Sequence, residues 1–172
     1  MGSGFRIGRF FGINVRVDWS WLFIFFLVTW NLATVLGQVQ PEWGTLLTWG
    51  GAAFASLLFF GSVLAHELAH SLVARSRGMP VRDITLFLFG GVSNIQREPD
   101  SPRDEFFMAL VGPLTSIILG GALLLIAGLT SDPTPGLGAD PLGLLGQLGP
   151  VTLLLYWLGS VNILVGLFNL IP

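Results

Sequence analysis

The sequence predicts an all-α membrane protein: four transmembrane helices with a small membrane-associated β element on the cytoplasmic side. Three observations predict it. Hydrophobic residues make up 52% of the 172-residue chain and charged residues 10%, with a mean hydropathy of +0.76, whereas a soluble domain carries about 25% charge. Four apolar runs are long enough to cross a hydrocarbon core of about 30 Å, which needs roughly 20 helical residues. All eight basic residues are arginines, and they lie only before the first run or between the second and third. The same composition excludes a disordered chain, and a net charge of −2 with no basic run excludes a nucleic-acid partner. With no cysteine there is no disulfide framework, thiol nucleophile or Cys-based zinc knuckle.

Taken in chain order, Ile13, Val15 and Val17 alternate with Asn14 and Arg16 as a strand would. No small-x-small cleavage site follows, so the N-terminus does not read as a removable signal. The spans are expected at about 19–36, 46–73, 106–129 and 151–172. Pro150 suits the first turn of the last helix, where its missing N–H has no helical partner. The connections without arginine carry Glu42, Asp132 and Asp140. Positive charge marks the cytoplasmic side, which places the N-terminus, the 75–105 connection and the C-terminus there.

The chain's two histidines stand as His66-Glu67-Leu68-Ala69-His70 within the second span. Spaced i and i+4, they lie on one helix face about 6 Å apart along the axis, which suits two ligands of one zinc ion. Glu67 sits about 100° round the helix, where its carboxylate can take a proton from a water that zinc has made acidic. The bland alternative is a structural Glu–His pair between helices. Against it, an acidic residue at membrane depth costs about 2.5–3.5 kcal/mol on insertion scales and so marks a working site. Counting back from Arg75, Arg77 and a terminating Gly78 puts the site about 10 Å inside the interface.

Around that motif the third span aligns Gly112, Ser116 and Gly120, read as a helix-packing face, with Pro113 expected to kink the helix locally. The last span aligns Gly159, Asn162, Gly166 and Asn169, its asparagines serving either interhelical hydrogen bonds or substrate contact. The segment 81–95 reads as a strand, a turn or bulge at Gly90-Gly91, and a second short strand. Two roles stay open for it, receiving an extended peptide by edge addition or pairing with residues 13–17.

At this point the residues resemble the site-2 protease family of intramembrane zinc metalloproteases. The resemblance rests on His66-Glu67-Leu68-Ala69-His70, Phe87-Leu88-Phe89-Gly90-Gly91-Val92, Val111-Gly112-Pro113 and Asn169-Leu170-Ile171-Pro172, in that order. It implies that His66 and His70 are metal ligands for Zn2+, that Glu67 is catalytic, and that Asn169 helps to hold substrate. Gly90 and Gly91 are further substrate-binding candidates. Ser116 departs from the Asn that many members carry after Gly-Pro. The resemblance also implies a third ligand, an Asp beyond Pro172, so residues 1–172 are expected to be a single protease core truncated ahead of it. Any further C-terminal domain would lie outside this chain.

The function expected is a zinc metalloendopeptidase that cleaves a transmembrane segment of a regulatory membrane protein. Its expected partners are that substrate and the lipid bilayer, with homo-oligomer formation left open. The location expected is a prokaryotic inner (plasma) membrane, multi-pass, with the N-terminus cytoplasmic. The rival readings are a non-catalytic membrane-binding relative and a metal or ion transporter. A transporter predicts ionisable residues in other spans, and the apolar stretches of the third and fourth contain none.

Overall fold

The computed structural model describes residues 4–99, 101–131 and 145–171. Four helices are long and apolar enough to cross a membrane: α1 (Ser20–Val39), α2 (Thr45–Ser76), α3 (Pro102–Thr130) and α4 (Pro150–Phe168). Their outer faces carry exposed Phe23, Phe26, Trp30, Ile118 and Leu125, an apolar surface of the kind that faces lipid rather than water. The last helix ends at Phe168, short of the expected 172, with Asn169 as its C-cap. Asp132, Asp140 and Pro172 lie outside the described residues.

The β element is larger than the expected hairpin. Four strands, β1 (Gly4–Phe10), β2 (Ile13–Asp18), β3 (Val81–Phe87) and β4 (Gly90–Ile95), form one sheet in the order β1-β2-β3-β4. The chain is therefore helical with a mixed four-stranded sheet, to which residues 4–18 largely belong. β1 and β2 join through Phe11-Gly12, both at positive φ (49° and 82°), the two-residue turn whose twist matches a hairpin. β2 pairs parallel with β3, Val15 opposite Ile84, and β3 pairs antiparallel with β4. The turn between β3 and β4 is Leu88-Phe89, so Gly90-Gly91 open a strand instead of forming the turn expected of them. Register decides this, because Phe87 pairs with Gly90.

Two buried clusters hold these layers together. Ile13, Val15 and Ile84 pack on Leu64 and Leu68 of α2, laying the sheet against that helix. Leu32, Leu36, Ala52, Ala55 and Leu153 join α1, α2 and α4. Helix α2 stops at a left-handed Gly78 (φ 78°), where the Met79 N–H bonds Ala74 O (3.0 Å) and the Gly78 N–H bonds Arg75 O (3.0 Å). Ser101 caps α3 by accepting from the Asp104 N–H (3.2 Å), and Asp104 pairs with Arg77. That ion pair ties the end of α2 to the start of α3. Helix α3 continues through Pro113 to Thr130, with Pro113 itself buried against its neighbours.

Candidate metal centre

The face of α2 that carries His66 and His70 is turned toward α3. The two Nε2 atoms stand 3.1 Å apart, and His66 is 4% exposed. Two nitrogens bound tetrahedrally to one zinc ion at 2.0–2.1 Å would be about 3.3 Å apart, so this spacing fits a shared metal. The far side of each ring is anchored to α3. His70 Nδ1 meets the Met108 carbonyl at 2.5 Å, and His66 Nδ1 meets Ser116 Oγ at 2.9 Å. A carbonyl only accepts, so His70 Nδ1 carries the hydrogen, and in the neutral ring that leaves the Nε2 lone pair facing the gap. This is the outer-shell arrangement that orients metal-binding histidines.

Gly112 makes the approach possible. A Cβ at that position would overlap the Nε2 atoms of both histidines. The stripe expected to be a packing face is therefore divided. Gly112 and Ser116 serve the histidines, while Gly120 packs on the Gly159 carbonyl and Ile163 of α4. Asn162 is buried and its Nδ2 donates to Leu158 O of its own helix at 2.8 Å, a bond within the helix where one between helices was an expected role. A helix in lipid can satisfy a polar side chain on its own preceding turn, and this one does.

Glu67 faces β4. Ser93 Oγ donates to Glu67 Oε2 at 2.8 Å, and Ser71 Oγ donates to Ser93 Oγ at 3.1 Å. A Cβ on Gly91 would overlap Glu67 Cγ, so this glycine lets the strand lie directly over the carboxylate. One cavity of about 410 Å³ is lined by His66, Glu67, Gly90, Gly91 and Asn169 together with apolar residues of α1 and α2. Residues expected to act together are thus brought to one space, and His70 reaches it through His66. Asn169 Nδ2 donates to Val165 O at 2.8 Å. Sequence reasoning did not assign Ser71, Ser93, Gly112 or Ser116 to the site. Ser71, at i+4 from Glu67, and Gly112, within Val111-Gly112-Pro113, are the ones with a local signal. Among the described residues no group of three or more His, Cys, Asp or Glu side chains could hold a metal, so the two histidines are the protein donors present.

The peptidase family M50 model matches residues 54–172, which include both histidines, Glu67 and all of α3 and α4. The chain belongs to peptidase family M50. Members similar to it include the zinc metalloprotease named Rip3 of Mycobacterium tuberculosis, 37% identical over 174 residues, covering 100% of this chain and 41% of that protein. The zinc metalloprotease named sll0528 of Synechocystis is 37% identical over 172 residues, covering 100% of this chain and 41% of that protein. Among solved structures, the site-2 protease of Methanocaldococcus jannaschii matches 98% of this chain and 65% of its own, with a TM-score of 0.64 and 27% identity. The chain spans about two-fifths of the length of the curated M50 relatives it matches. Family and fold together make it an integral membrane protein of the site-2 protease type.

Proposed function

We propose that the protein is a zinc-dependent intramembrane endopeptidase whose substrate is a transmembrane segment of a regulatory membrane protein, as in regulated intramembrane proteolysis. The observation that carries this reading is the convergence of His66 and His70 at 3.1 Å beside a cavity that also holds Glu67. His66 and His70 would hold the ion, with an Asp beyond residue 172 as the third protein ligand. A zinc ion supplies Lewis acidity, making water acidic near neutral pH and polarising a carbonyl. Glu67 takes the proton from the attacking water on its carboxylate and passes it to the amide nitrogen as the C–N bond breaks. The backbone at Gly90-Gly91 and the Asn169 amide hold the unwound substrate chain, because a helical substrate keeps its carbonyls in its own hydrogen bonds. The N-terminus lies in the cytoplasm of a prokaryotic cell, with the protein in its plasma membrane.

The test uses the full-length protein. Glu67→Gln is expected to keep its zinc, measured by atomic absorption, and to lose cleavage of a membrane-spanning substrate by several hundredfold or more. Undiminished turnover by that variant, or wild-type protein purified without zinc, would overturn the reading.

A further inference from the structure

Helix α1 covers only part of α2. The Trp30 ring meets Trp49 at 5.5 Å and the Trp21 ring meets Phe60 at 5.1 Å, so α1 begins level with Phe60. The remaining stretch of α2, from Gly61 to Ser76, is about 24 Å long at 1.5 Å per residue. The sheet takes the place of α1 along that stretch. Its buried face packs on Leu64 and Leu68, and its first turn reaches Arg75, whose Nη1 donates to Phe11 O at 2.5 Å. The strands therefore run alongside α2 from the level of Phe60 to the level of Arg75.

β1 is a terminal strand of this sheet, and its surface does not look like one meant for water. Phe5 (42%), Ile7 (48%), Phe10 (43%) and Phe11 (72%) are all exposed. Phe5 also packs on Trp19 with ring centroids 5.4 Å apart. Trp19 in turn precedes the exposed Phe23 and Phe26 of α1, so the apolar surface passes from helix to strand. Opposite Arg16 and Asn14, on the other face of the strand from Phe5 and Phe10, stand Arg6 and Arg9. Their Nε atoms donate along the strand to Gly8 O (3.4 Å) and Gly12 O (3.0 Å), and among the described residues neither forms an ion pair with a carboxylate. Guanidinium groups on the polar face of a strand whose other face is apolar and aromatic match lipid phosphates at a membrane interface.

We infer that the β1–β2 hairpin lies in the lipid headgroup layer beside α2, with its apolar side chains against the acyl boundary and Arg6 and Arg9 on anionic lipid phosphates. The headgroup layer, not the hydrocarbon, is required because the outer edge of β1 presents backbone groups that only water or headgroups can satisfy. The occupant of this surface is thus the bilayer. The inference concerns lipid contact and stands whether or not the protein is a protease.

The chain has no cysteine, so single nitroxide labels can be placed at will. Labels at Ile7→Cys and Phe10→Cys would be compared with Phe26→Cys, a lipid-facing reference, and Glu98→Cys, an exposed polar reference. The full-length protein would be reconstituted in phosphatidylcholine vesicles with and without phosphatidylglycerol. Collisions with oxygen, which partitions into the acyl region, would be measured against collisions with a water-soluble nickel chelate. Labels at 7 and 10 are expected to favour oxygen over nickel severalfold more than the label at 98, approaching the label at 26. Phosphatidylglycerol should deepen them, and the double variant Arg6→Gln/Arg9→Gln should lose that response. Labels at 7 and 10 as open to nickel as the one at 98 would overturn the inference, as would labels reached by neither reagent, which a second protein copy would produce. Equal depth in both vesicle types would overturn the assignment of the arginines to phosphate.

Discussion

Glu67 and His66 are each held by a serine from a distant part of the chain, and the two serines have separable consequences. Ser93 orients the carboxylate through a 2.8 Å bond, whereas Ser116 orients an imidazole through a 2.9 Å bond. Removing Ser93 leaves both histidines and their anchors untouched. In the full-length protein Ser93→Ala is therefore expected to lower the cleavage rate about tenfold, the size of a lost orienting bond of about 1.4 kcal/mol, with unchanged zinc content. Ser116→Ala should do the reverse, weakening zinc affinity roughly 10–100-fold as outer-shell changes do, read by competition with a chelating dye. A stronger effect is expected of Gly112→Ala, because its Cβ would occupy the gap the two Nε2 atoms share. Zinc retained at wild-type affinity in that variant would show that α3 does not press on the histidines in the folded protein. The motif at 66–70 was legible because an i, i+4 pair on a helix is local geometry. Ser93, Gly112 and Ser116 were not, since they approach from elements 26 to 50 residues away.

At the scale of elements, helices α3 and α4 depend on missing side chains. A Cβ on Gly120 would meet Gly159 O and Ile163, and one on Gly166 would meet Ile117 and Pro113 O. Close backbone approach of this kind is how helices associate in lipid, where burial of apolar area gives no advantage over lipid contact. Gly120→Leu should cost about 1–3 kcal/mol through overpacking. The cost would be seen as a lower midpoint of thermal unfolding in detergent, with zinc loss following it. The helices were readable as long apolar runs, and their observed ends fall within a few residues of those expected. Strand β1 was not readable. The alternation Phe5-Arg6-Ile7 is short and breaks at Gly8-Arg9, and the strand's pairing with Ile13–Asp18 comes from a turn at Phe11-Gly12 whose positive φ at phenylalanine is rarely anticipated. The Gly90-Gly91 pair misled in the opposite direction. Glycine suggests a turn, but here Gly91 admits the Glu67 side chain beneath a strand.

For the whole molecule, arginine lies on one side of the proposed membrane and acidic Glu42 on the other. Reporter fusions at Glu42 and at Glu98 should therefore report opposite compartments, with Glu98 cytoplasmic. Fusions reporting the same compartment would remove one of the four spans. The sequence by itself determined the four long apolar helices, the confinement of arginine to alternate connections and the paired histidines. Each of these depends on composition or on spacing within one helix. Only the tertiary structure decided that residues 4–10 join a four-stranded sheet, that Gly112 and Ser116 lie against the histidines, and that Ser93 holds Glu67. Those contacts join positions far apart in the chain, and their energy exists only once α2, α3 and the sheet are packed, so no local pattern encodes them.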